Sequence, residues 1–131
     1  MPFETKAVPF EIPTVNQGFR IARGLVDLEG ERLAFEFQVT DSFVGILKSD
    51  VKEAEISLTD LQSIEYKKGW FSSKIVLEAN SLRVLNDIPG TEMTECVLKI
   101  KRKDRKKAET LVSKARLVMS EMRLKDLDEE I

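Results

Sequence analysis

The chain has 131 residues, 42% of them hydrophobic, which suits one domain whose core needs neither disulfide nor metal. Lys and Arg number 21 against 23 Asp and Glu, a net charge of −2, which disfavours a nucleic-acid-coating protein but permits a local basic patch. A single cysteine excludes an intrachain disulfide framework and a Cys-rich zinc site. The lack of histidine removes Ser-His-Asp and Cys-His nucleophile systems, His-ligated metals and the usual general base.

No apolar run approaches the roughly 18–20 residues of a transmembrane helix. The longest, Phe43 to Leu47, includes Gly45. Met1 to Lys6 lacks a basic-then-apolar leader, so a cytoplasmic, reducing location is expected, with peripheral membrane association left open.

Residues 1–17 combine Pro2, Pro9 and Pro13 with apolar Phe3, Val8, Phe10, Ile12 and Val15. Prolines break ladders and helices, so this stretch predicts an extended arm lying on a domain that covers residues 18–131. From Phe19 the signal is strand. Phe19 and Ile21 hold one phase and Val26 and Leu28 the other, which predicts a bulge or sharp bend at Arg23-Gly24. Glu29-Gly30 then turns the chain into Arg32 to Thr40, where Leu33, Phe35, Phe37 and Val39 alternate with polar or small neighbours. Further short strands are predicted near Val44 to Lys48, Glu53 to Ser57, Ser63 to Tyr66, Lys74 to Glu78, Leu82 to Leu85 and Glu95 to Lys101. Lys68-Gly69 and Pro89-Gly90 punctuate them, and Asp60 is expected to hold a turn over Ser57 to Leu61. At Asp104, a candidate N-cap, the period changes. Ala108, Leu111, Val112, Ala115, Val118, Met119 and Met122 recur at helical spacing, and no Gly or Pro interrupts Arg105 to Ile131. The fold class is therefore mainly β: six or seven antiparallel strands as a barrel or sandwich, capped by one C-terminal helix.

That order, together with Ile56-Ser57-Leu58-Thr59-Asp60-Leu61-Gln62-Ser63-Ile64-Glu65-Tyr66-Lys67-Lys68-Gly69-Trp70-Phe71, resembles the pleckstrin-homology-like superfold and, locally, bacterial PH and GRAM-type domains. The likeness runs from Phe19 to Met122. It implies a curved barrel of two near-orthogonal sheets, one open end plugged by the helix through Leu111, Ala115 and Val118. Phosphoinositide-binding members carry a Lys in the first strand and an Arg-x-Arg or Lys-x-Arg early in the second. Here Arg23 is followed by Glu29, Glu31 and Arg32, with Ala34 where the second Arg would fall. The two carboxylates repel a polyanion, so strong headgroup-specific binding is not expected.

Two segments suggest a site. The loop Lys67-Lys68-Gly69-Trp70-Phe71-Ser72-Ser73-Lys74 sets the only Trp and a Phe among three lysines, the composition of a membrane-surface loop. Alternatively Trp70 or Phe71 opens the next strand and points into the core. Lys101, Arg102, Lys103, Arg105, Lys106 and Lys107 form a basic run at the helix start, where the macrodipole disfavours cations, and Asp126, Asp128, Glu129 and Glu130 crowd the far end. The run reads as a phosphate- or membrane-facing patch, as charge matching between chains, or as a solvated face. Cys96 alternates with Leu98 and Ile100 and should face the core. No Gly-rich phosphate loop or calcium-loop spacing occurs, and no cofactor or metal is expected.

The leading expectation is a non-enzymatic binding module for a protein partner or further copies of itself, with no nucleic acid. The alternative is a peripheral membrane adaptor binding anionic lipid. If the chain self-associates, the segment after Met122, with Leu124, Leu127 and Ile131, is the expected interface, packed head to tail or antiparallel so that opposite end charges meet.

Overall fold

The computed structural model describes residues 7–15, 20–41 and 50–130. The strand expected at Val44 to Lys48, with Phe3, Phe19 and Ile131, lies outside these residues. Alternating apolar positions build β1 (Val8–Val15), β2 (Arg20–Glu29), β3 (Arg32–Asp41), β4 (Lys52–Ser57), β5 (Leu61–Lys67), β6 (Ser72–Ala79) and β7 (Glu95–Lys101). The single α-helix among the described residues, α1, spans Arg105–Glu130. All neighbouring strands are antiparallel, in the order β4-β3-β2-β1-β7-β6-β5.

The mainly-β architecture with one C-terminal helix is as the periodicity requires, but the sheet is not closed into a barrel. Strands β4 and β5 end the order, and among the described residues they are joined only by the 3-10 turn Leu58–Asp60 rather than by a ladder. Among the described residues a single register pair, Glu11↔Lys99, joins β1 to β7. The inner faces of both halves nevertheless share one core, with Phe10, Phe35 and Phe37 from one side and Ile64, Leu77 and Leu98 from the other. The Phe10 and Phe35 rings meet edge to face at 5.9 Å.

Within the N-terminal stretch, Val8–Val15 is built into the sheet, pairing with β2 while Val8, Phe10 and Ile12 point into the core. Pro13 falls where the β1–β2 register shifts, between Ile12 and Val15, so its missing N–H interrupts no register pair with β2.

The phase slip falls elsewhere than expected. The β2–β3 register is unbroken from Arg20↔Asp41 to Glu29↔Arg32, whereas β1–β2 shifts between Ile12 and Val15, beside Pro13. Small Ala22 is buried and larger Ile21 only half-buried, so side-chain size misplaced the inward phase. Gly24 meets a different need: a Cβ there would lie 1.9 Å from the Glu36 carbonyl oxygen and 2.6 Å from Phe37 Cα. Gly30, at φ 64°, opens the two-residue turn between β2 and β3.

Leu82 to Leu85 is not a strand. Consecutive turns run from Ser81, with backbone bonds from Val84 N–H to Ser81 O, Asn86 to Arg83 and Ile88 to Leu85. Leu85 and Ile88, three residues apart, enter the core while Leu82 stays in water; Asn80, Ser81, Asn86 and Asp87 favour turns over a ladder. In the turn after β4 the Ser57 hydroxyl, not the Asp60 carboxylate, accepts the Thr59 N–H at 3.3 Å.

Helix α1 packs chiefly on β5 and also reaches β2 and β6, burying Ala108, Leu111, Val112, Ala115 and Met119. Asp104 directly precedes α1. It ends a 3-10 turn, Arg102–Asp104, that runs directly into α1, and it is buried. No helix among the described residues is long and apolar enough to cross a membrane.

Candidate anionic-surface site

The turn between β5 and β6 decides between the two readings of its aromatics. Lys67 pairs with Lys74 across the hairpin, and Lys68 to Phe71 lie between the strands. Trp70 is 81% exposed and Phe71 79%; neither enters the core. Their rings stand edge to face, 6.4 Å apart and inclined at 70°. Gly69 permits the turn, since a Cβ there would fall 2.2 Å from the Ser72 carbonyl oxygen.

Arg105, in the first turn of α1, fixes the loop. Its Nη2 donates to the Gly69 carbonyl at 2.6 Å and to the Trp70 carbonyl at 3.2 Å. The two segments singled out from sequence, 35 residues apart between Trp70 and Arg105, therefore form one surface. Lys101 is also register partner of Ser72. Lys67, Lys68, Lys74, Lys101, Arg102, Lys103, Lys106 and Lys107 are all exposed; Arg105 is half-buried, its guanidinium occupied with the loop.

Lys99 was missed, and Arg23, weighed from sequence only against the phosphoinositide pattern, also borders this surface. Lys99 pairs with Lys74 on one side and Glu11 on the other, which completes a cross-strand row Lys67–Lys74–Lys99 on the outer face. Arg23 stands opposite Glu11 and pairs with its carboxylate at 2.9 Å. The two-residue alternation of Lys99 with Lys101 was readable, but the register that aligns Lys99 with Lys74 is a tertiary fact.

Beside this row lies a cavity of about 310 Å³ lined by Arg23, Lys99, Lys101, Lys103 and Lys107, with Glu11 and Asp104. The Asp104 Oδ2 is buried and has no hydrogen-bond partner among the described residues. Its carboxylate lies at the N-terminal end of α1, where the macrodipole favours an anion and partly offsets the cations crowded there. The surface thus sets a band of exposed cations beside two exposed aromatic rings.

Cys96 is buried, as the alternation requires, and burial with help from the Glu95 charge pushes its thiol from 9.0 up to about 12. The chain matches no protein-family model, no curated protein and no solved structure.

Proposed function

We propose that the protein is a non-enzymatic, PH-like binding module that docks on anionic membrane surfaces through the Trp70–Phe71 tip and the cations around it. The strand order and terminal helix support the PH-like reading, and the absence of histidine from the sequence supports a binding rather than a catalytic role. The carrying observation is the exposure of two adjacent aromatic rings on a loop tip ringed by lysines. In water that arrangement leaves apolar area unburied; at a headgroup boundary the rings enter the interface while each lysine near the surface contributes about 1 kcal/mol. Glu29, Glu31 and Ala34 argue against selection of one phosphoinositide.

Cosedimentation with phosphatidylserine-containing and pure phosphatidylcholine vesicles at low and high salt tests the reading. Binding should need the anionic lipid and weaken with salt. Absence of binding at low salt would refute it, and tight salt-resistant selection of one phosphoinositide would overturn the reading of the β2–β3 hairpin. The self-association expectation rests on other residues, those after Met122.

A further inference from the structure

We propose that the outer face of α1 is a parallel two-stranded interface with a second copy of this chain. The inner face of the helix, from Ala108 to Met119, is spent on the sheet. Leu117, Leu124 and Leu127 lie on the opposite side, 61%, 62% and 58% exposed. With Ser120 between them their spacing is that of the a and d positions of a heptad: Leu117 and Leu124 at a, Ser120 and Leu127 at d.

The flanking charges choose the occupant and its direction. Positions g are Glu109, Arg116 and Arg123, and positions e are Lys114, Glu121 and Asp128. In a parallel pair each g faces the e position five residues on in the other helix. Glu109 then meets Lys114, Arg116 meets Glu121, and Arg123 meets Asp128, each opposite in sign and each made twice by symmetry. The antiparallel arrangement that pairs Leu117 with Leu127 makes Lys114–Asp128 twice but sets Arg123 against Arg123 and Glu121 against Glu121, and so falls short of the six attractions of the parallel pair. The residues beside the seam thus outweigh the end charges, which alone suggested an antiparallel or head-to-tail contact. Neither Arg116 nor Glu121 forms an ion pair within the chain among the described residues.

The seam from Glu109 to Asp128 is about 30 Å long, and three leucines per chain make it weak. Its consequence for docking, which rests on the membrane reading above, is avidity. Parallel helices point both N-terminal ends the same way, and Arg105 ties each end to its own Trp70 loop, so both aromatic tips address one surface.

The test uses the full chain. Sedimentation equilibrium should show a concentration-dependent dimer, and Ser120→Cys should cross-link to itself under mild oxidation, Cys96 being buried and unavailable. Arg116→Glu and Glu121→Arg, both exposed, should each weaken the dimer roughly fivefold to tenfold, and mixing the two variants should restore it, because the mixed pair recovers both attractions. Arg123 is left intact because it donates to the Gln62 carbonyl at 3.1 Å. A chain monomeric at every concentration assigns the leucine face to a different protein and overturns the proposal. So does a mixture no tighter than either variant, or a Leu117→Cys chain that cross-links to a Leu127→Cys chain while Ser120→Cys does not cross-link to itself. Loss of vesicle binding with the dimer intact removes only the membrane reading.

Discussion

Replacing both Trp70 and Phe71 by Ala separates a docking role from a structural one. An aromatic side chain offers about 150–250 Å², and some four fifths of each ring is in water. About 120–200 Å² per ring is then available to a bilayer interface, and immersing half of it at about 25 cal/mol per Å² contributes about 1.5–2.5 kcal/mol per ring. The double variant should therefore lose about 3–5 kcal/mol of partitioning, a hundredfold to several-thousandfold weaker vesicle affinity. Fold stability should move by less than about 1 kcal/mol, because neither ring packs in the core. Trp70 is the only tryptophan, so a blue shift of its emission on anionic vesicles reports the natural chain directly, and cosedimentation measures the variant. Unchanged vesicle affinity would refute the docking role. Destabilisation by more than about 2 kcal/mol in urea would show that the rings hold the fold.

Leu111→Ala removes a side chain 4% exposed between α1 and the sheet and should cost about 2–5 kcal/mol; an unchanged melting temperature would show that the helix is not docked there. The buried Cys96 thiol titrates near 12 against an ordinary 9.0. The unfolded chain releases this proton first as pH rises, so stability from it is intact below pH 9 and falls by about 1.4 kcal/mol per unit toward 12; a Cys96→Ala chain should lack that slope in urea titrations from pH 9 to 11. Lys74 lies opposite both Lys67 and Lys99, so Lys74→Glu turns two repulsions into attractions. That substitution should stabilise the fold by about 0.5–2 kcal/mol while weakening vesicle binding, and a destabilised or fully binding variant would contradict the assignment.

The strand and helix periods were legible because burial imposes them: Leu33, Phe35 and Phe37 in β3, and Ala108 to Met119 in α1, follow from the pattern of apolar residues alone. What failed was set by neighbours in space. Ile21 outranks Ala22 in hydrophobicity, yet Ala22 faces the core because β2 keeps register with β3 on every residue. Pro9 and Pro13 announced a break, yet β1 runs through both, Pro9 in register with Leu25 and Pro13 at the β1–β2 shift. Barrel closure was likewise invisible, since it depends on whether β4 and β5 pair. At the site, the composition of the Trp70 loop was readable and its exposure was not; no one-dimensional feature tells that Arg105 reaches back to the Gly69 carbonyl.

The net charge of −2 conceals a polarity that bears on docking. On the outer face, β5, β6 and β7 align Lys67, Lys74 and Lys99, while β3 and β4 set Glu36 directly against Glu53. Asp27 and Glu55 join those two glutamates around a concavity of about 300 Å³. Like charges placed opposite each other weaken a sheet, so each half carries a cost that alternating signs would have removed. Strands are about 4.8 Å apart, and β3, which carries Glu36, lies three places from β7, which carries Lys99. Along the sheet that separates the acidic and basic rows by about 14 Å at their nearest, well beyond the Debye length of about 8 Å at physiological salt. Repulsion of the carboxylates by an anionic surface is therefore screened once the lysines and the Trp70 tip are in contact. At longer range, before screening is complete, the same separation acts as a dipole that turns the basic end toward the surface. The proposed docking of a slightly acidic protein on an anionic surface is thus compatible with its charge, because the sum of its charges matters less than which strands carry them.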